Sequence, residues 1–250
     1  MTAAPTLAAR TIRDGVHFGL VELDLLATHA GSRFPFPLRV PEFGRIAGER
    51  EVLLAAAGVT LRARGLAGER GPLGVAAEVV TALREYRGTV DLVLTGPTAA
   101  VGVVAMVYRS WTLICHQQLT GDAATNGVRI RRIAQNSLAD ELISLVPPVT
   151  PAVIMPITVP PDSRDPGLLA ELEVVLPELT GAGQCGATCR DDGEITRPGP
   201  GLSWLDGPRG RVRVHRAADG WTSVNTLKQH DMSRALKHMA LTARREQDGS

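Results

Sequence analysis

Lysine is almost missing from this chain. Of its 27 basic residues only Lys228 and Lys237 are lysines, and the rest are arginines, a bias that reads as codon usage and carries no functional weight. Against 26 acidic residues they leave a formal net charge of +1. The concentrated positive charge that draws nucleic acid or an anionic membrane is therefore absent, and neither is expected as a partner. Long apolar runs are missing too: no window approaches the roughly 18 residues of a membrane span. The opening MTAAPTLAARTIRDG has no basic stretch followed by a continuous apolar region, so a cytosolic protein is expected. Cysteine is scarce and odd in number, with Cys115, Cys185 and Cys189, so reduced thiols are the default. Aromatics make up 4%, and Phe18, Phe34, Phe36 and Phe43 are the only phenylalanines, all within the first 43 residues.

What is present is a chain of 250 residues, 44% hydrophobic, long enough to bury a sizeable core. LVELDLLATHA (20 to 30) has apolar residues at helical spacing and Gly31 as a stop. Helices are likewise predicted over Glu49 to Arg64 and Leu73 to Tyr86. The period then changes to two in VDLVL (90 to 94), VGVVAMVY (101 to 108), WTLICHQQL (111 to 119) and GVRIRRI (127 to 133), an antiparallel meander joined by GPT, RS and GDAATN. SLADELISLV follows as a helix with Ser137 as its N-cap. Val146 to Pro166 holds seven of the seventeen prolines and reads as a surface connector, strand-like only at ITV. Beyond it come a helix (Gly167 to Leu176), strands at 183 to 190, 202 to 206, 211 to 216 and 221 to 225, and a helix from Leu227 to Arg244.

Helix, four short strands, helix, and then the same again suggests α+β architecture with a duplicated topology, although an α+β chain of this size can alternate so by chance. One domain, 1–250, is expected, with an N-terminal half (1–146), a Pro-rich connector (147–166) and a C-terminal half (167–250).

Chemistry is harder to find. Gly181, Gly183 and Gly186 satisfy G-x-G-x-x-G, but the upstream helix is broken by Pro177 and a strand follows, so no helix N-terminus is available for a pyrophosphate. Cys185 and Cys189 lie on one face of one strand, which suits core packing better than a zinc knuckle. The six histidines form no H-E-x-x-H, and no G-x-S-x-G occurs. His230 and His238 suit a solvated face or a partner contact. Asp191 with Asp192, and Glu49 with Glu51, sit where acidic residues are structurally ordinary. No catalytic residue, metal or cofactor is expected.

LVELDLLATHAGSRFPFPLRVP is similar to the N-terminal signature of the EspG family, the ESX secretion-associated chaperones of actinobacterial type VII secretion. There a helix ending in a short Gly turn leads into an aromatic-Pro-aromatic-Pro-Leu segment. ERGPLGVAAEVVTALREYRGTVDLVL, SLADELISLVPPVTPAVIMPITVPPD and the region from GQCGATCRDDGEI to ALKHM fit the family in the same order, so the resemblance covers nearly the whole chain. The departures are Cys185, where the family usually has a larger apolar residue, and strands rich in Arg109, Trp111 and His116.

The resemblance implies a non-enzymatic cytosolic chaperone that binds the apolar helical tip of a PPE protein in a PE-PPE heterodimer, keeps it soluble and directs it to its ESX system. It also implies two quasi-twofold-related halves, each a mainly antiparallel sheet of about four short strands with flanking helices. The tip is expected to dock on the sheet and C-terminal helical region, with Arg109, Trp111, His116, Lys228, His230 and Lys237 lining or rimming the contact, although for Trp111 a core aromatic is the favoured reading. Phe34, Pro35, Phe36, Pro37 and Leu38 read as a structural clasp, because each proline holds the residue before it extended and sends both Phe rings to one side. A small-molecule binder or enzyme using the cleft between halves, and an oligomeric scaffold, are the competing readings. Free protein is expected to be a monomer or dimer.

Overall fold

After a three-residue strand β1 (Val16–Phe18), the helical spacing begun at Leu20 produces α1 (Leu20–Ala30), which buries Leu20, Leu23 and Leu26 and stops where Gly31 turns left-handed at φ 64°. In this computed structural model the described residues are 14–121, 127–163, 165–175, 177–191 and 193–244. The start of the chain, most of the GDAATN link, Leu176 and Asp192 lie outside them.

Helix α2 (Ala47–Ala63) is fastened along α1 by two ion pairs. Arg50 donates to both Asp24 oxygens at 2.8 and 3.0 Å, and Arg64 to both Glu22 oxygens at 2.9 and 2.8 Å. Both carboxylates are buried, so each is desolvated and needs its arginine. A small ribbon, β2 (Ala67–Gly68) and β3 (Gly71–Pro72), leads to α3 (Val75–Glu85).

The meander follows: β4 (Gly88–Thr95), β5 (Ala100–Tyr108), β6 (Trp111–Gln118) and β7 (Val128–Ala134). Helix α4 (Leu138–Leu145) is entered through a 3-10 turn, Gln135–Ser137. Ser137 holds the N-cap position that its residue type suggested, but its side chain does not cap the helix. It already has near-helical backbone angles, φ −85° and ψ −8°, so its hydroxyl is not aimed at the first free amides, and it makes no capping bond. Then come β8 (Ile157–Val159), α5 (Pro166–Val175), β9 (Gly181–Asp191), β10 (Glu194–Thr196), β11 (Leu202–Gly207), β12 (Gly210–Arg216), β13 (Thr222–Thr226) and α6 (Gln229–Arg244).

Two separate sheets were expected, and this is corrected. Among the described residues one sheet of eleven strands runs β1-β7-β6-β5-β4-β9-β11-β12-β13-β8, with β10 beside β9. The junction is β4 against β9, antiparallel from Gly88↔Cys189 to Thr95↔Ala182. Pairing satisfies the amide and carbonyl groups that a bare β4 edge would leave buried and unmet. Nor are the central strands short, since β9 has 11 residues. Outward from the junction each side is a meander whose last strand, β7 or β13, is flanked by the earlier short strand β1 or β8.

Alternation sends side chains to two helical layers. Val103, Ala105 and Val107 of β5 join Leu142 of α4 and Leu236 and Met239 of α6. Val104 and Met106 face Leu23, Leu26 and Leu83 of α1 and α3. Val212 and Val224 pack with Val175 of α5. The Pro-rich stretch is not wholly a surface run: Ala152 is buried, donates its N–H to Arg211 O at 3.1 Å and accepts from Thr226 Oγ1 at 2.8 Å.

Candidate partner-binding groove

Helix α6 buries Met232, Leu236, Met239, Ala240 and Ala243 against the sheet, and its flank one step round the helix looks into a groove of about 800 Å³. Asp231, Arg234, His238 and Thr242 come from the helix, Arg213 and His215 from β12, Ser223 and Asn225 from β13. Ala187, Leu202, Leu227 and Met239 make an apolar floor beneath this polar rim. The segment Pro198–Gly201 between β10 and β11 forms a wall. An apolar floor with a polar rim is the make-up of a protein-docking site.

Lys228, just before α6, and His230 and Lys237, on its first nine residues, lie together with Arg234 on the surface beside Pro151. Arg234 belongs to both this surface and the groove, so the three adjoin it. His230 Nε2 is 3.3 Å from Asp231 Oδ1, and Arg234 Nη1 is 3.9 Å from the same oxygen. His238 lines the groove instead, so the two histidines of this helix serve different surfaces.

The other three expected contact residues are not brought there. Arg109, at φ 34°, turns the β5–β6 hairpin, reaches Glu85 at 3.6 Å and stacks over Tyr108 at 5.3 Å. Trp111 is half-buried against the α1–α3 core, with the Tyr108 ring 4.8 Å away and the Arg132 guanidinium over its ring at 5.3 Å. His116 is 5% exposed and shares the strand face of Ile114, which packs on the α4–α6 side. Burial, reinforced by Arg129 across the strand pair, pushes its pKa down to about 4. A neutral, enclosed imidazole does not rim a contact. Trp111 and His116 are five apart on β6, an odd spacing that sends them to opposite faces.

The clasp also differs from its expected form. Leu38 N–H bonds Pro35 O at 3.2 Å, closing a turn around a cis Phe36–Pro37 peptide and leaving Phe36 at the outer corner, 56% exposed. Phe34, Pro37 and Leu38 point inward. Pro37 seats on Gly102, where a Cβ would lie 3.0 Å from its Cγ.

Buried ionisable groups cluster at the sheet centre and base. Asp91 on β4 accepts from Arg197, yet burial outweighs this and holds its pKa up at about 6. Arg211 donates Nε to Asp206 Oδ1 at 2.6 Å and Nη2 to Oδ2 at 2.7 Å, with Trp204 stacked at 5.5 Å. Cys185 is pushed up to about 12 by burial, and Cys189 donates to Thr242 O at 3.1 Å, so both behave as packing residues. Among the described residues no group of three His, Cys, Asp or Glu side chains could hold a metal.

Sequence reasoning missed Arg213, His215 and Arg234 as groove residues, and named His238 only as suited, with His230, to a solvated face or a partner contact; the groove holds Arg213, His215, Arg234 and His238. The signal existed in the alternation of RVRVHR and in the i, i+4 spacing of the last two, but which face of each element stays open depends on distant strands.

No curated protein sequence matches the chain. Its fold resembles that of the Mycobacterium tuberculosis type VII secretion system chaperone EspG5, whose structure was solved in complex with a PE25-PPE41 dimer. The TM-score is 0.64 at 14% identity, covering 92% of this chain and 96% of that one. The family model of the EspG family matches residues 20–238, from the first residue of α1 into α6. The chain belongs to the EspG family.

Proposed function

We propose that this protein is a cytosolic, non-enzymatic chaperone that takes the apolar helical tip of a PPE protein, within a PE-PPE dimer, into the groove between α6 and strands β11–β13. The groove carries the reading, because it combines an apolar floor with a charged rim on the C-terminal part of an EspG-family chain. The related chaperone EspG5 was solved with a PE25-PPE41 dimer, which supports the choice of partner. An apolar tip left in water aggregates, since exposed apolar patches are self-complementary. Covering it gains about 25 cal/mol per Å² before the costs of association, enough for a stable yet releasable complex.

Lys228, His230 and Lys237 then form an outer rim. On this reading residues 1–146 and 167–250 act as quasi-twofold halves of one domain joined by 147–166, and the free protein is a monomer or dimer. Co-expression with a PE-PPE pair of the same genome, followed by size-exclusion chromatography with light scattering, is expected to give a 1:1:1 complex. Failure with every such pair would reject the reading.

A further inference from the structure

The segment Arg197–Gly201, RPGPG, links β10 to β11, which pair with different stretches of β9. On one side of it β10 pairs with Cys189 to Asp191 of β9, and on the other β11 pairs with Gly181 to Cys185. Pro198 and Pro200 have no N–H to offer, so the strap cannot complete the ladder between them. Its free stretch, Pro198 to Gly201, walls the groove.

The strap is instead fastened through its first side chain. The Arg197 guanidinium crosses β9 above Gly186 and donates from Nη2 to Asp91 Oδ1 on β4. The crossing requires Gly186, because a Cβ there would fall inside contact distance of the guanidinium. At the other end Gly201 is pressed to the backbone, where a Cβ would lie 2.8 Å from Cys185 O. Asp91 has a side-chain exposure of 3%, against 45% for Arg197. The carboxylate is thus the fixed end and the strap the movable one. A buried carboxylate left without its partner is costly, which draws the strap inward.

We propose that the Arg197–Asp91 pair is a latch that positions the strap as a preorganised wall of the groove, and that this position sets the affinity for the helical tip. The affinity half rests on the function proposed above, while the latch itself does not. Preorganised walls bind more tightly because less is ordered on association.

Two variants test it, Arg197→Ala and Arg197→Lys, both at a partly exposed position. Hydrogen exchange by mass spectrometry at pH 7.5 is read on the peptide carrying the Gly199 and Gly201 amides. Exchange about tenfold faster is expected for Arg197→Ala, and an intermediate rate for Arg197→Lys, which keeps the charge but loses the planar fork. Peptides from α6 should not change. Titration with the PE-PPE dimer that co-purifies with the unmodified protein, at a temperature where both proteins are fully folded, should weaken about tenfold for Arg197→Ala. Unaltered strap exchange overturns the latch. Faster exchange with undiminished affinity overturns its role in binding. If no PE-PPE dimer binds the unmodified protein, the functional reading and the affinity half fall together, and the exchange result still decides the latch.

Discussion

The side-chain amide of Gln117 is paired to the backbone of Arg39 at both ends: Arg39 N–H donates to Gln117 Oε1 at 2.6 Å and Gln117 Nε2 donates to Arg39 O at 2.9 Å. A buried glutamine on β6 thereby stands in for a neighbouring strand and holds the clasp that follows α1. Gln117→Leu removes both partners and leaves two backbone groups unmet, so a loss of about 1–3 kcal/mol is expected in urea unfolding.

The two phenylalanines of the clasp should behave differently. Phe34 packs on the core while Phe36 faces water. Phe34→Ala is expected to cost about 1–3 kcal/mol and Phe36→Ala less than about 0.5 kcal/mol. Equal losses in denaturant midpoints would contradict the inward and outward assignment.

Asp91 and His116 give opposite pH dependences. The Asp91 pKa is raised by burial from 3.8 to about 6 in the folded protein, so its contribution is full in acid and is lost as pH rises through about 6. The His116 pKa is lowered, chiefly by burial, from 6.5 to about 4, so its contribution is present above about 6.5 and is lost as pH falls toward 4. Relative to the unmodified protein, Asp91→Asn should therefore gain stability as pH rises from 4 to 7, and His116→Gln should gain as pH falls. Each trend is expected to be on the order of 1–3 kcal/mol, read from urea curves at several pH values. Parallel trends for the two variants would refute the assignment.

Arg211 is 1% exposed and its carboxylate partner Asp206 is buried with it. Arg211→Met strands that carboxylate and also releases the bond from Arg211 Nη2 to Pro147 O. A loss of about 3–5 kcal/mol is expected, partly restored by adding Asp206→Asn. Differential scanning calorimetry of the three proteins checks it.

For binding, charge reversal at the groove is the discriminating change. Arg213→Glu or His238→Glu should weaken PE-PPE capture by about tenfold or more, Lys228→Glu with Lys237→Glu by less, and Arg109→Glu not at all. Pull-down against a co-expressed dimer gives the ranking; the strongest effect at Arg109 would move the contact to the other face of the sheet.

What the sequence by itself determined is local: the helices from Leu20, near Glu49 and from Leu227, the meander of Val90 to Ile133, the proline-rich join, and the family signature around Phe34 to Leu38. Periods of 3.6 and 2 are properties of neighbouring residues, so they can be read along the chain. Even the separation of Trp111 from His116 was legible there, as an odd spacing on one strand.

Only the tertiary structure decided that β4 meets β9 and makes one sheet of two meanders. That pairing depends on residues about a hundred positions apart, and strand alternation says nothing about which edge finds which. The same long-range choice carried Arg197 over Gly186 to Asp91, and packing between distant elements likewise left the flank of α6 open as a groove and enclosed His116. Which face of an element is covered is a matter of packing between distant segments, and a sequence pattern states only that there are two faces to choose from.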